Sequence, residues 1–170
     1  MDPRSDIARI ELQEFRLRLA HFGPDSAWTL GSRLREIGLA KGVALAIEIR
    51  FGGNTLFQLA MGGTTPANAD WVRRKRNTVE LMHRSSYAVG LSLQQENRTL
   101  DSLMSLAGRD HAVHGGGFPL LVDGMGCVGA VTVSGAPQRE DHEIVVLALA
   151  EHCGVPPHEI ALDCLTGVAR

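Results

Sequence analysis

The stretch HAVHGGGFPLLVDGMGCVGAVTVSG, from His111 to Gly135, decides the fold. Its second half predicts a β-hairpin, because Asp123-Gly124 is a strong two-residue turn between the apolar runs Phe118 to Val122 and Gly126 to Ser134. Three consecutive glycines, Gly115 to Gly117, precede the hairpin. Without side chains they leave room for a ligand or another backbone segment to come close. They are the first candidate for a binding site.

A second hairpin precedes this stretch. Val43 to Phe51 and Asn54 to Met61 are rich in apolar and β-branched residues, and Gly52-Gly53-Asn54 supplies turn chemistry between them. Hairpins make neighbouring strands antiparallel. We therefore predict an antiparallel sheet with helices segregated around it, rather than a doubly wound parallel fold.

Helical spacing of apolar residues predicts the elements around the sheet. The first 40 residues should form two helices, one that reaches Leu19 and one from about Ser26 to Leu39 that Gly42 ends. Thr65-Pro66 is typical of a helix start, and the apolar face that follows predicts one long helix to about Leu93. Three further helices are predicted, at Thr99–Gly108, Glu140–His152 and about Pro157–Leu165.

Length and composition describe one ordinary folded domain. The chain has 170 residues, 44% hydrophobic and 21% charged, with a net charge of −2, which disfavours disorder and bulk nucleic-acid binding. We expect a single domain over 1–170, with a helical segment at 1–41 and a core at 43–153. No apolar run approaches the roughly 18 residues of a membrane span, and we expect no secretory signal. Three cysteines without a CxxC pair favour the cytoplasm.

The charge run Arg73-Arg74-Lys75-Arg76 lies within the predicted long helix. Charge runs usually face water, and this is the first interpretation. Counting by three and four from Val72 to Val79, however, places Lys75 or Arg76 on the apolar side of the helix. That cation could extend to solvent, or it could meet a buried carboxylate, a partner subunit or an anionic ligand.

Two histidines, His111 and His114, form an HxxH pair just before the glycines. On a helix this spacing would place both imidazoles on one side, within reach of one metal ion or one haem edge. The pair lacks the companion glutamate of helical zinc motifs, which disfavours a metal-dependent hydrolase. The simplest interpretation is structural, with one imidazole bonded to a loop carbonyl and the other in water. As an axial haem ligand, His114 and His111 are better candidates than His83.

Other reactive residues receive structural interpretations. Asp141 is interpreted as a helix-start carboxylate and His142 as a surface or interface group, since adjacent helical residues point in different directions. Cys127 lies inside a predicted strand and is interpreted as a small buried hydrophobic residue. Gly115 to Gly117 lead into a strand, which is the wrong order for a nucleotide-binding loop and disfavours ATP and NAD.

A series of short motifs runs through the chain between about Val43 and Ala150. They are Thr64-Thr65-Pro66, Asp70-Trp71, Arg74-Lys75-Arg76-Asn77, Gly115-Gly116-Gly117-Phe118-Pro119-Leu120, Gly126, Gly129-Ala130, Val133-Ser134-Gly135 and Asp141-His142. In order and spacing, the motifs from Gly115 onward resemble the GlcG/HbpS-like haem-degrading domain family. The upstream motifs are similar to the branch of that family that has a yeast member.

The resemblance implies a single α/β domain of the α+β type, similar to profilin. It implies a five-stranded antiparallel sheet flanked by helices and assembled into dimers or higher rings. It also implies haem binding or haem-linked redox sensing in some relatives, without one shared haem ligand. The export signal of secreted relatives is not recognised here, which argues against extracellular haem sensing.

Three functional hypotheses follow. The first is a cytoplasmic homo-oligomer that binds haem or another small planar or anionic ligand, with no nucleic-acid or membrane partner. Its candidate site comprises two histidines, the glycine loop and two cations: His111, His114, Gly115, Gly116, Gly117, Phe118, Pro119, Lys75 and Arg76. The second is an enzyme on a small metabolite, with His114 as general base and glycine-loop amides around an oxyanion. The third is a pure assembly protein whose glycine loop and last helix make subunit contacts.

Overall fold

Five strands and seven helices form the fold, in a computed structural model that describes residues 3–106 and 108–162. Together they make a domain of the predicted α+β class. In chain order they are α1 Pro3–Arg16, β1 Arg18–Leu19, α2 Pro24–Lys41, β2 Ala46–Phe51, β3 Asn54–Ala60, α3 Pro66–Met82, α4 Ser86–Gln95, α5 Leu100–Met104, β4 Gly117–Val122, β5 Gly126–Ser134, α6 Gln138–Cys153 and α7 Pro157–Ile160. No helix in the described ranges is long and apolar enough to cross a membrane.

The sheet has the strand order β1-β4-β5-β2-β3. The two predicted hairpins and the β5–β2 pair are antiparallel, which confirms most of the predicted sheet. The prediction of a wholly antiparallel sheet is wrong, because the edge strand β1 runs parallel to β4. Leu17 and Leu19 are buried on either side of exposed Arg18. The chain after Arg16 thus alternates like a strand where the apolar spacing predicts a helix.

Glycine turns connect both hairpins. Gly52 and Gly53 have positive φ angles of 55° and 84° and join β2 to β3 at the predicted turn. The β4–β5 connection, Asp123–Met125, lies between the predicted strand ends and has one residue more than the Asp123-Gly124 turn, and the strand register shifts between Leu120 and Leu121. The left-handed backbone that these turns need is the conformation that glycine adopts at least cost.

The predicted long helix is divided in two. α3 ends at Met82, because His83 adopts a left-handed conformation with a φ of 53°. The Ser85 hydroxyl then accepts a hydrogen bond from the Ala88 amide at 3.0 Å and caps α4. A non-glycine C-cap and a serine N-cap therefore interrupt a helix that periodicity alone extends to Leu93.

The other helix predictions differ from the structure mainly at the helix ends. Gly42 ends α2 as predicted. α5 ends at Met104, short of the predicted Gly108. The helix predicted over Pro157–Leu165 is present as the short α7, while residues 163–165 lie outside the described residues.

Helices cover both faces of the sheet. Ile47 and Ile49 of β2 point to the face where α2 and α6 pack together. Glu48, between these two isoleucines, turns to the opposite face and pairs with Arg76 of α3. Alternation along the strand therefore gives the sheet one apolar face and one partly charged face.

Gly115–Gly117 lie where several elements meet. Gly116 has a φ of 112°, and a Cβ there would lie 2.6 Å from the Val133 carbonyl oxygen. A Cβ on the preceding glycine would lie 1.9 Å from the Gln138 carbonyl oxygen, and one on the following glycine 2.9 Å from Ser86 Oγ. Protein atoms therefore fill the space beside the glycines, so their first role is packing.

Replacing Gly116 by Ala should lower the free energy of unfolding by roughly 2–4 kcal/mol, because the added Cβ meets backbone at an unfavourable φ. Urea denaturation measures the effect. Gly62→Ala is the matched control, since a Cβ at Gly62 has no neighbour within 4 Å and the φ is not in the positive range. Equal stability of the two variants would contradict the packing role.

Candidate functional site

A buried ion pair joins α3 to α6. Lys75 Nζ lies 2.8 Å from Asp141 Oδ2 and donates a second hydrogen bond to the Val133 carbonyl oxygen at 3.0 Å. The two side chains are only 3% and 2% exposed. The interpretation of the charge run as a solvated face is therefore wrong for Lys75. The alternative, that this cation meets a buried carboxylate, is confirmed.

Burial governs the electrostatics of this pair. It lowers the pKa of Lys75 and raises the pKa of Asp141, because each charge loses its hydration. The opposite charge of the partner counteracts both shifts. The Ala136 amide also donates to Asp141 Oδ1 at 2.9 Å. Asp141 does lie in the first turn of α6 as predicted, and it additionally holds that turn to α3.

A polar cavity of about 270 Å³ opens beside the ion pair. The residues that line it come from the start of α3, the loop before β4, the end of β5 and the start of α6: Asn68, Trp71, Lys75, His114, Ser134, Gly135, Ala136, Gln138 and Asp141. Of the predicted site residues, the structure brings only Lys75 and His114 together here. Gly116 does not line the cavity, but it lies against Lys75 and Asp141, which do.

His114 presents an exposed imidazole at this cavity. Its ring lies edge-on to Trp71, with 4.8 Å between the ring centroids. Partial burial, then the positive charges of Lys75 and Arg74, lower the pKa of His114. The neutral imidazole, which can ligate a metal or accept a proton, is therefore the main form at neutral pH.

Trp71 is a site residue that motif reasoning did not assign. It is on α3, and the Arg74 guanidinium carbon lies 4.5 Å from the centroid of its ring. His114 packs against the same indole, so Arg74, Trp71 and His114 form one contiguous group of planar side chains. The Asp70-Trp71 motif is the only sequence signal for it.

His111 lies in a different environment from His114. The HxxH pair is in the loop between α5 and β4, so the helical geometry considered for it does not apply. His111 lines a second cavity of about 310 Å³, which His114 and Arg74 also border. Its Nδ1 atom is buried without a hydrogen-bond partner. Within residues 3–106 and 108–162, no three His, Cys, Asp or Glu side chains gather into a metal site.

The remaining predicted site residues lie away from the 270 Å³ cavity. Arg76 Nη1 donates to both carboxylate oxygens of Glu48, at 3.1 and 2.9 Å, on the other side of α3. Phe118 and Pro119 are buried in β4. Cys127 is half-buried, and burial raises the pKa of its thiol, which disfavours the reactive thiolate.

His142 is fully buried, so its interpretation as a surface or interface group is wrong. Its Nε2 lies 2.8 Å from Gln13 Oε1, and the Gln13 amide nitrogen donates to the Ile160 carbonyl oxygen at 2.7 Å. Because that amide fixes Oε1 as the acceptor, His142 carries its proton on Nε2. Burial, then the charge of Arg139, lowers the pKa of His142 to about 3. His142 is therefore a neutral structural link from α6 to α1.

The family model described as "Haem degrading protein HbpS-like" matches residues 22–150. The chain belongs to this family. Membership confirms the resemblance drawn from the glycine motifs, since the match includes both hairpins and the loop that carries His114.

The chain is similar to a bacterial relative in sequence and to two solved structures in fold. A UPF0303 protein of Azotobacter vinelandii is 52% identical over 165 residues, which cover 97% of this chain and 99% of the relative. The crystal structure of Ybr137w has a TM-score of 0.82 at 24% identity and covers 89% of this chain and 92% of its own. A PduOC–haem complex has a TM-score of 0.67 at 20% identity, with coverage of 76% and 93%. At these identities, the two structures support the fold alone.

The buried His142 should make stability depend on pH. Its pKa is about 3 in the folded chain against 6.5 for the free side chain, so only the unfolded chain binds the proton between these values. His142 therefore costs no stability above pH 6.5. As the pH is lowered from 6.5 to 3, the free energy of unfolding decreases by up to about 1.4 kcal/mol per pH unit. Urea denaturation at pH 7, 6 and 5 should show this slope reduced in His142→Gln.

His158→Gln, on the surface of α7, serves as the matched control and should keep the wild-type slope. A His142→Gln slope equal to that of the wild type would contradict the assignment.

Proposed function

We propose that the protein binds haem, or another small planar ligand with carboxylate groups, at His114. The observation that carries the proposal is an exposed, neutral imidazole that packs on Trp71 at the mouth of a polar cavity. A neutral imidazole is the common protein ligand of haem iron. Haem bound there would supply a redox-active iron, and His114 would bind that iron while the neighbouring residues provide the electrostatic surroundings.

The charges around His114 suit an anionic group. Arg74 lies beside the same indole ring and lines the cavity of about 310 Å³ that His114 also borders. We assign to Arg74 the pairing with a ligand carboxylate, because its guanidinium has N–H groups besides Nη2, which donates to the Gly108 carbonyl oxygen at 2.7 Å. Lys75, the earlier candidate for that role, already binds Asp141 and Val133. Its role in the proposal is to keep His114 neutral.

The size of the site favours a flat ligand that lies over His114. The cavity of about 270 Å³ is slightly smaller than the roughly 300–1,000 Å³ of typical small-ligand pockets, so a larger ligand must extend beyond it. His114 also borders the cavity of about 310 Å³ that contains His111. A planar ligand on His114 would reach both spaces, whereas a compact ligand would use the first alone.

Two comparisons support haem over other planar ligands. The family is named for haem degradation, and the PduOC neighbour was solved as a haem complex. Both facts belong to those proteins, and they make haem the first ligand to test on this chain.

The enzyme hypothesis receives less support from the geometry. The Gly117 amide already donates to Ser86 Oγ at 3.0 Å, so it is not free to hold an oxyanion. Burial and the charges of Lys75 and Arg74 lower the pKa of His114, and no oxyanion partner for it is identified among the described residues.

Self-association and a cytoplasmic location complete the proposal. Cys127 and Cys153 are free thiols, which accords with a reducing compartment. Several large apolar side chains are exposed on the single chain, which accords with an oligomer.

Haemin titration tests the ligand. Stoichiometric haemin should shift the Soret band of the wild-type protein, and His114→Ala should weaken binding at least tenfold. His111→Ala is the matched control in the same loop and should change affinity less than threefold, because the proposal gives the iron to His114. An unshifted wild-type spectrum, or loss of binding in His111→Ala alone, would contradict the proposal.

A further inference from the structure

The sheet ends in an uncovered strand. β3 lies at one edge with seven residues, Asn54–Ala60, whereas β1 at the other edge has two. β3 contains no charged residue and no proline. Edge strands of monomers usually carry such residues or are short, because their free backbone groups otherwise pair with another chain. β3 has neither form of protection, and its one irregularity is the register shift opposite Ile49 and Arg50 of β2.

Space remains open on both faces of β3. A cavity of about 600 Å³ lies between Leu56–Leu59 and α2, and one of about 530 Å³ lies between Gln58–Ala60 and α3. Both reach the same outer strand. Another chain could therefore reach the backbone edge of β3 and the space on either side of this strand.

Helix α2 adds an exposed stripe beside this strand. Trp28, Ser32, Arg35 and Leu39 follow one another at intervals of four, three and four residues, which places them on one face of the helix. Trp28 is 69% exposed and Leu39 55% exposed. A large apolar residue thus stands at each end of the stripe, with two polar residues between.

The aromatic end of the stripe is held in place. Trp28 lies edge-on to Phe57 of β3, with 5.9 Å between ring centroids. The Phe57 ring packs directly on Gly31, where any Cβ would lie 2.5 Å from it. A fixed, exposed tryptophan beside an open strand edge is typical of a residue that contributes strongly to a protein–protein interface.

We propose that the α2–β3 surface, defined by Trp28, Ser32, Arg35, Leu39 and strand β3, binds the same surface of a second copy of this chain. The proposal rests on the proposed self-association and specifies its interface. A two-fold axis makes the two α2 helices antiparallel and pairs each β3 with its own copy, so that the sheet continues across the dimer.

The stripe is complementary to itself when reversed. In the antiparallel arrangement Trp28 faces Leu39 of the second copy, and Ser32 faces Arg35. Large apolar groups thus meet each other, and the long Arg35 side chain lies over a small residue. Glu36, which follows Arg35 and also lines the cavity beside β3, brings a negative charge within one turn of that contact. This self-complementarity favours a second copy over an unrelated protein.

Sedimentation velocity tests the interface. The wild-type protein should be a dimer or a multiple of a dimer at micromolar concentration, and Trp28→Glu should halve its mass or weaken association at least tenfold. Phe15→Glu is the matched control, since Phe15 is a 72% exposed aromatic residue on α1. It should leave the mass unchanged. Circular dichroism checks that both variants fold.

Crosslinking tests the register. A bismaleimide with a reach of about 10 Å, near the separation of packed helices, is added to an equal mixture of Trp28→Cys and Leu39→Cys chains. The mixture should give covalent dimers above the wild-type background, and each variant alone should not. A monomeric wild type would overturn both this interface and self-association. A wild-type oligomer that Trp28→Glu leaves intact, or a mixture without specific crosslinks, would overturn this interface alone.

Discussion

The ion pair between Lys75 and Asp141 is the constraint on which the site depends. It crosses from α3 to α6 beside Gly116, where a Cβ would lie 2.8 Å from the ammonium nitrogen. The Val133 carbonyl and the Ala136 amide supply the hydrogen bonds that a buried pair needs. Removing one partner would leave an uncompensated buried charge. Gly116 must therefore lack a side chain, because the ion pair occupies the space that a Cβ would need.

The same arrangement positions His114. Ser86 Oγ donates to the His114 carbonyl oxygen at 2.6 Å and accepts a hydrogen bond from the Gly117 amide at 3.0 Å. One hydroxyl thus holds both ends of the glycine loop. Ser86 can do so because the helix breaks after Met82 and restarts at this residue. The helix break that periodicity misses is therefore part of how the site is built.

Features that depend on neighbouring residues could be predicted from the sequence, whereas features that depend on partners distant in the chain could not. The hairpins and the end of α2 depend on glycines within the turns themselves, so local rules place them. The break after Met82 and strand β1 depend on distant partners: Glu14 of α1 accepts from the Ser85 amide at 2.7 Å, and β1 exists by pairing with β4. Periodicity correctly places Lys75 on the apolar side of α3, but its partner lies 66 residues away. His142 is assigned to the surface for the same reason, since its partner Gln13 is 129 residues away.

Lysine modification tests the central claim most directly, because the chain contains only two lysines, Lys41 and Lys75. The Lys41 side chain is 39% exposed and provides an internal control. Reductive methylation of the folded protein at neutral pH, followed by peptide mass spectrometry, should modify Lys41 and leave Lys75 unmodified. Both lysines should react in urea. Equal methylation of Lys41 and Lys75 in the folded protein would contradict a buried Lys75–Asp141 pair.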